Sequence, residues 1–243
     1  MNEAMTRQPH LLSIPSELLA GFRDTIPLIV GAIPFGLIFG TLSGGSGLSP
    51  AGAMAMSAFV FAGSAQFIAI GLLATGTGWP LIVLTTLVVN LRHLLYAASL
   101  LPHVKHLSQF WRVPLAFWLT DETFVVVINR YNQPDPANYK HWYYLASAVA
   151  MYISWQFCTW LGLTFGRLMP DVATWGLDFA MSVTFIGMII PYLKSRPMWV
   201  AVLLAGVTAL LAQPLPHKLG LMVATLAGIS GGLIFELVQR KEN

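Results

Sequence analysis

The chain has 243 residues, of which 56% are hydrophobic and only 9% are charged. Soluble domains carry roughly 25% charged residues, so this composition excludes an ordinary soluble domain. The net charge of +3 fits basic loops on one face of a membrane better than nucleic-acid binding. Apolar runs of about 20 residues recur along the chain, as helices that cross a bilayer require. The sequence therefore predicts an all-α polytopic membrane protein, with residues 1–243 forming one integral membrane domain.

The first twenty residues are mixed in polarity and form a predicted polar tail, 1–20. They contain two prolines and two glutamates, and no apolar stretch precedes a small-residue cleavage site. A cleavable signal peptide is therefore not expected.

Eight apolar segments follow the tail and predict seven or eight membrane spans. The first, sixth and seventh segments are short, and the first contains Pro27 and Pro34. Short or proline-interrupted segments are typical of broken or re-entrant helices near the midplane, so the prediction includes such helices. The segments cover residues 26–42, 51–75, 81–101, 113–129, 142–165, 177–193, 198–211 and 219–238.

The basic residues of the loops predict an orientation. With eight spans and a cytoplasmic N-terminus, eight Lys and Arg residues fall in inside loops and four in outside loops. Cytoplasmic loops carry the excess of basic residues, so both termini are predicted to be cytoplasmic. If the first segment is re-entrant, the count becomes six against six and the orientation stays open.

The tract FVFAGSAQFIAIG, 59–71, lies within 25–91, a stretch without any Lys, Arg, Asp, Glu or His. Small residues in membrane helices usually permit tight packing, but packing does not require Gln66. The pattern is compatible with a helix discontinuity here, where freed backbone groups face a midplane site and hold the carboxylate or ammonium of a zwitterion. Gly63, Ser64 and Gln66 are therefore candidate substrate-binding residues.

Pairs of glycines four residues apart occur in three other segments, and their spacing predicts close helix packing rather than a binding site. These pairs are Gly36 with Gly40, Gly162 with Gly166, and Gly228 with Gly232.

Arg92 lies near the middle of the third segment. An ionisable group at a helix centre costs about 2.5–3.5 kcal/mol to insert, so this segment must turn one face toward protein or a water-filled cavity. Asn90 and His93 share one face of the helix, and Arg92 and Tyr96 share the neighbouring face. Asn90 and Arg92 are candidate substrate-binding residues. His93 is a weaker candidate for proton coupling, because a lone membrane histidine is more often a packing residue.

Asp121 and Glu122 lie midway along the fourth segment. Adjacent residues on a helix point about 100° apart, so one carboxylate can pair with Arg92 while the other faces a cavity and exchanges a proton. The alternative is that the Arg92 ion pair only fixes helix packing. Asp24 and Asp178 fall at predicted helix starts, where a carboxylate caps the helix.

Cys158 is the only cysteine and falls within an apolar run, so neither a disulfide framework nor a cysteine-based metal site is expected. The sequence contains no glycine-rich phosphate loop, so an ATPase is not expected. The sequence indicates no cofactor, no metal and no nucleic-acid partner.

Three tracts resemble those of the AzlC-type branched-chain amino acid permeases: AGSAQF at 62–67, NLRHLLYAASLLPH at 90–103 and LTDETF at 119–124. Their order, their spacing and the overall length agree, and the resemblance covers residues 18–240. Some members have an aspartate in place of Asn90 and a glycine in place of Ala97, which shifts the expected charge pairing onto Asp121 and Glu122. The resemblance implies the large subunit of a bacterial inner-membrane exporter that works with a small AzlD-type membrane partner.

The leading hypothesis is a secondary transporter that exports branched-chain or other apolar amino acids, driven by the proton gradient. An apolar pocket from residues such as Phe59, Phe61 and Phe67 would receive the side chain. A passive amino-acid channel and a non-transporting membrane subunit remain as alternatives. Ser64 and His93 could form a nucleophile–base pair, but no third group is placed to orient them, so an enzyme is not expected.

Overall fold

The computed structural model describes residues 13–134, 139–166, 186, 190, 193–215 and 219–242. These residues form helices and no strand, which confirms the predicted all-α class for this part of the chain. The helices are α1 (Ile14–Gly45), α2 (Pro50–Phe59), α3 (Gly63–Ala74), α4 (Trp79–Val104), α5 (Gln109–Phe117), α6 (Asp121–Tyr131), α7 (Lys140–Phe165), α8 (Arg196–Leu211) and α9 (Leu219–Glu242).

Helix α1 is longer than the first predicted segment and is unbroken, although Pro27 and Pro34 lie inside it. It begins within the predicted 1–20 tail, because Ser13 forms a capping box with Ser16 at its N-terminus. Asp24 therefore lies inside the helix, and its prediction as a helix cap was wrong. Its carboxylate accepts a 2.8 Å hydrogen bond from the hydroxyl of Tyr143 in α7.

Helices α1 and α7 pack in parallel through small residues. Thr25 Oγ1 donates to Ser147 Oγ at 2.7 Å, and further along both helices Gly40 faces Gly162. A Cβ atom on Gly40 would lie 2.9 Å from the Cα atom of Gly162, so a larger side chain would push the backbones apart. The predicted packing role of these glycines is confirmed.

Helices α8 and α9 form a separate antiparallel pair with the same kind of contact. A Cβ atom on Gly228 would lie 2.8 Å from the Cβ of Ala205, and one on Gly232 would lie 2.8 Å from the Cβ of Ala201. The packing prediction for this third glycine pair is also confirmed.

The second apolar segment is broken into α2 and α3 at residues 60–62. Phe61 has a φ angle of 42°, in the left-handed region that costs a bulky residue about 1–3 kcal/mol. Its ring packs edge-on against Tyr152, with centroids 4.9 Å apart, and this contact holds the residue in place. The sequence of the tract 59–71 was compatible with such a break.

Side chains of α7 satisfy the backbone carbonyls that this break leaves unpaired at the end of α2. Gln156 Nε2 donates to the carbonyl oxygen of Ser57 at 2.9 Å. The hydroxyl of Tyr152 donates to the carbonyl oxygen of Ala58 at 3.1 Å. Unpaired carbonyls in an apolar environment are costly, so α7 stabilises the break.

The fourth apolar segment is also broken, between α5 and α6, a break that the sequence did not indicate. Tyr144 of α7 donates to the carbonyl oxygen of Leu115 at 2.8 Å. Thr120 caps the start of α6 by accepting a 3.3 Å hydrogen bond from the backbone N–H of Thr123. Both breaks are therefore supported by the same helix.

By length and composition alone, two of the described helices are long and apolar enough to cross a bilayer, residues 14–46 and 79–104. Helix α4 exposes a row of leucines that includes Leu84, Leu87 and Leu91. A lipid environment solvates such a surface, whereas water does not. Most of the sixth predicted segment, together with Asp178, lies outside the described residues, and the predicted span number stays a prediction.

Candidate functional site

A cavity lies where the two helix breaks approach each other, between α1, α4 and α7. Its volume is about 40 Å³. Its polar wall is formed by α3, α4 and the start of α6, and its apolar wall mainly by α1 and α7. The polar wall consists of Ser64, Arg92, His93, Thr120, Asp121 and Glu122, and the apolar wall of Ala32, Phe35, Phe61, Met151 and Trp155.

Arg92 connects the starts of the two short helices that follow the breaks. Its Nη2 atom donates to Ser64 Oγ at 2.5 Å, in the first turn of α3. The same atom lies 3.0 Å from Asp121 Oδ2, at the first residue of α6. Arg92 thus pairs with one of the two carboxylates that the sequence offered.

Asp121 is held through both carboxylate oxygens. Tyr96, one helical turn after Arg92, donates its hydroxyl to Asp121 Oδ1 at 2.7 Å. The Tyr96 ring stacks on Phe124 with centroids 4.4 Å apart. Because side chains of α4 bind both oxygens, protein groups alone fix the position of Asp121.

Glu122 follows Asp121 at the start of α6, where a carboxylate interacts favourably with the helix dipole. Both residues were predicted to lie mid-helix, and the break corrects that prediction. Glu122 lines the cavity and forms no ion pair with another described residue. Of the two carboxylates, it is the one available to a ligand or a proton.

His93 lines the cavity next to Arg92, and its Nδ1 lies 3.2 Å from the carbonyl oxygen of Asn90. Ser64 Oγ is bonded to Arg92 and not to His93. The described structure therefore contains no Ser64–His93 nucleophile–base pair.

Gln66 does not line the cavity, contrary to its prediction as a residue facing the site. Its side chain is fully buried, and Nε2 donates to Ser57 Oγ at 3.1 Å. Ser57 Oγ in turn lies 2.9 Å from Thr159 Oγ1. Gln66 therefore connects α2, α3 and α7 across the break and stabilises the discontinuity itself.

Asn90 also lies outside the cavity wall, although it shares a helix with Arg92 and His93. Its Oδ1 atom is buried and has no hydrogen-bond partner among the described residues. The prediction that Asn90 contacts the substrate has no support in this geometry.

Of the three phenylalanines predicted to form the apolar pocket, only Phe61 lines the cavity. Phe59 is 78% exposed at the end of α2. Phe67 packs edge-on against Phe39, with ring centroids 6.0 Å apart. The apolar wall also contains Trp155, Met151 and Phe35, from α7 and α1. The sequence around these three residues does not mark them as cavity residues, because they lie outside the polar tracts.

A second buried ion pair, between Glu17 and Arg130, was missed from the sequence. Glu17 fell in the predicted tail and Arg130 in a predicted loop. Arg130 Nε donates to Glu17 Oε2 at 3.1 Å, and its Nη2 contacts Glu17 Oε1. The pair joins the first turn of α1 to the last turn of α6.

A protein-family model described as AzlC protein matches residues 27–169. The inner membrane protein YgaZ of Escherichia coli K12 is 28% identical over 242 residues, covering 98% of this chain and 96% of that protein. A Helicobacter pylori protein named as an uncharacterized membrane protein is 32% identical over 200 residues, covering 79% and 86% of the two chains. The branched-chain amino acid transport protein AzlC of Bacillus subtilis is 31% identical over 176 residues, covering 70% and 67%.

No solved structure matches the chain. The family model covers more than half of the sequence, including both helix breaks and every residue of the cavity wall. The Escherichia coli and Helicobacter pylori relatives are membrane proteins by name, in agreement with the apolar surface of α4. The chain therefore belongs to the AzlC family of membrane proteins.

Proposed function

We propose that this chain is a secondary transporter that exports branched-chain or other apolar amino acids in exchange for protons. Membership of the AzlC family and the name of the Bacillus subtilis relative support an amino-acid substrate. The name of the Escherichia coli relative supports a place in the bacterial inner membrane. The proposal includes a small AzlD-type membrane partner and cytoplasmic termini.

The observation that carries the proposal is the two-sided cavity between the helix breaks. Arg92 and Glu122 place opposite charges on one wall, and Phe61, Met151 and Trp155 form an apolar wall. An apolar amino acid has the same division, with two charges at one end and a hydrocarbon side chain at the other. Discontinuous helices that meet at a cavity are a recurring form of transporter binding site.

The availability of Glu122 favours exchange over co-transport. Glu122 has no cation partner among the described residues, so either a proton or the ammonium of the substrate can neutralise it. When two ligands compete for one carboxylate, the site carries one of them in each direction. Outward movement of the amino acid would then be coupled to inward movement of a proton.

The cavity in this conformation is too small for leucine, because its volume of about 40 Å³ is well below the ~150 Å³ of a cavity that binds benzene. Substrate entry therefore requires the helices around the cavity to move. Discontinuous helices form the substrate sites of many transporters that work by alternating access. A passive channel would instead require a continuous opening.

Counterflow in proteoliposomes tests the proposal. The chain is reconstituted with and without its small partner, and labelled leucine uptake is measured against internal leucine, isoleucine, valine, methionine or arginine. We expect counterflow with the apolar amino acids and none with arginine. Absence of counterflow with every amino acid, in both preparations, would contradict the proposed function.

An imposed proton gradient separates transporter from channel. With protons more concentrated on the side opposite to the amino acid, we expect leucine to accumulate against its own gradient. Flux that only ever runs downhill would support the channel alternative and contradict the coupling.

A further inference from the structure

The start of α3 presents backbone donors that no side chain caps. Its N-cap residue is Ala62, whose methyl group cannot accept a hydrogen bond. The first N–H groups of an α-helix have no partner within the helix, and they carry a partial positive charge. Ala62, Gly63 and Ser64 all line the cavity, so these donors lie at its wall. The start of α6, at the same cavity, is capped by Thr120.

Two buried side-chain donors next to this helix start are also unpaired. Arg92 Nε and Trp155 Nε1 have no hydrogen-bond partner among the described residues. Trp155 is only 8% exposed, and a Cβ atom on Gly63 would lie 3.1 Å from the tip of its ring. Native proteins leave few buried donors unpaired. Arg92 and Trp155 both line the same cavity as the uncapped start of α3.

We propose that the α-carboxylate of the transported amino acid binds at a carboxylate subsite formed by the first turn of α3 and Arg92. This inference rests on the proposed function and specifies how the same site recognises its substrate. Asp121 occupies only the Nη2 atom of Arg92, so the guanidinium retains a donor for a second carboxylate. Arginine and helix N-termini are both favoured binding partners of carboxylates.

The subsite also sets the orientation of the ligand. With the carboxylate at α3, the ammonium points toward Glu122 on the same wall, and the side chain lies against Phe35 and Met151. Charges then alternate from Asp121 through Arg92 and the two substrate groups to Glu122. The transporter selects α-amino acids by their carboxylate, and amines that lack it bind more weakly.

Leucinamide tests the subsite in the unmodified protein, because it keeps the side chain and the amino group of leucine but has no carboxylate. Competition against labelled leucine counterflow is measured in proteoliposomes with unlabelled leucine or leucinamide. We expect leucinamide to compete about tenfold more weakly or worse. Equal competition by the two compounds would overturn the subsite.

Ala62→Asp provides an independent test by placing a carboxylate at the N-cap of α3, where it would occupy the free donors. Ala62 has extended backbone angles, with φ −139° and ψ 92°, that suit a capping residue. We expect Ala62→Asp to raise the apparent melting temperature in detergent and to weaken leucine exchange about tenfold more than Ala62→Leu, a control of similar size whose side chain accepts no hydrogen bond.

The outcomes separate the subsite from the proposed function. Leucine counterflow by the wild type, with equal competition by leucinamide and equal effects of the two Ala62 variants, would overturn the subsite and leave the transport function intact. A wild type that exchanges no amino acid would overturn both. If Ala62→Asp does not fold, the leucinamide comparison decides.

Discussion

Two arginines hold opposite ends of the short helix α6 through different kinds of ion pair. Arg130, in its last turn, is 3% exposed, and its partner Glu17 is fully buried. Arg130 contacts both oxygens of Glu17 and also donates to Gln133 Oε1 at 3.1 Å. Arg92 of α4, which contacts the start of α6, is 25% exposed, and its Nη2 atom serves both Asp121 and Ser64.

The difference shows which features separate a structural ion pair from a candidate ligand-binding one. Glu17 and Arg130 lie outside the cavity wall, and their two-pronged contact leaves the carboxylate fully matched. Arg92 lies in the cavity wall with its Nε unused. Partial exposure and an unused donor allow Arg92 to accept a further ligand without the loss of its protein contacts.

Arg130→Ala should produce the largest effect, because it leaves Glu17 buried without its cation. Breaking a buried pair from one side costs about 3–5 kcal/mol, which is enough to unfold many proteins. We expect little monodisperse protein in detergent and a strongly lowered melting temperature. Arg240→Ala is the matched control, because Arg240 forms an exposed pair with Glu236 and should leave stability unchanged.

A double variant tests whether an unpaired buried charge causes the instability of Arg130→Ala. Glu17→Leu combined with Arg130→Met removes both charges and should recover most of the lost stability, since buried pairs are often replaceable by apolar residues. If the double variant were as unstable as Arg130→Ala, the charge imbalance would not be the cause of the instability.

Arg92→Gln should leave the protein folded but reduce leucine counterflow about a hundredfold, a loss expected when a positioning group is removed. Arg92 is partly exposed to the cavity, so water can solvate the remaining Asp121. Arg92→Lys keeps the charge and should recover only part of the activity, because lysine lacks the planar fork. Normal leucine counterflow by Arg92→Gln would show that Arg92 does not bind the substrate.

Glu122→Gln should change the pH dependence more than the stability. In the wild type, leucine binding should weaken as the pH falls, because the proton and the ammonium compete for Glu122. The variant has no proton to exchange, so we expect weaker leucine binding that does not vary with pH. Leucine transport by Glu122→Gln with an unchanged pH profile would show that this residue does not couple the proton.

Asn90→Ala should have the smallest effect, because Asn90 lies outside the cavity wall and its Oδ1 atom makes no hydrogen bond within the described structure. We expect counterflow within about twofold of the wild type and unchanged or slightly higher stability. A loss comparable to that of Arg92→Gln would mean that Asn90 meets the substrate in another conformation.

The three polar tracts could be predicted from the sequence because charge and hydrogen-bonding groups are costly in an apolar run. Arg92 and Asp121 followed from that principle, and the structure brings them to 3.0 Å. The sequence could not show that Ser64 lines the cavity while Gln66 and Asn90 do not. Residues a few positions apart on a helix face different neighbours, and those neighbours belong to other parts of the chain.

The sequence by itself determined the helical membrane class, the polar tracts and the close packing at paired glycines, because these depend on composition and on spacing along one helix. Only the tertiary structure decided where the helices break and which polar groups meet at the cavity. The physical reason is that a break needs partners for its freed carbonyls, and Gln156, Tyr152 and Tyr144 supply them from α7, far along the chain. The pairing of Arg130 with Glu17, 113 residues apart, likewise depends on the packing of α1 against α6.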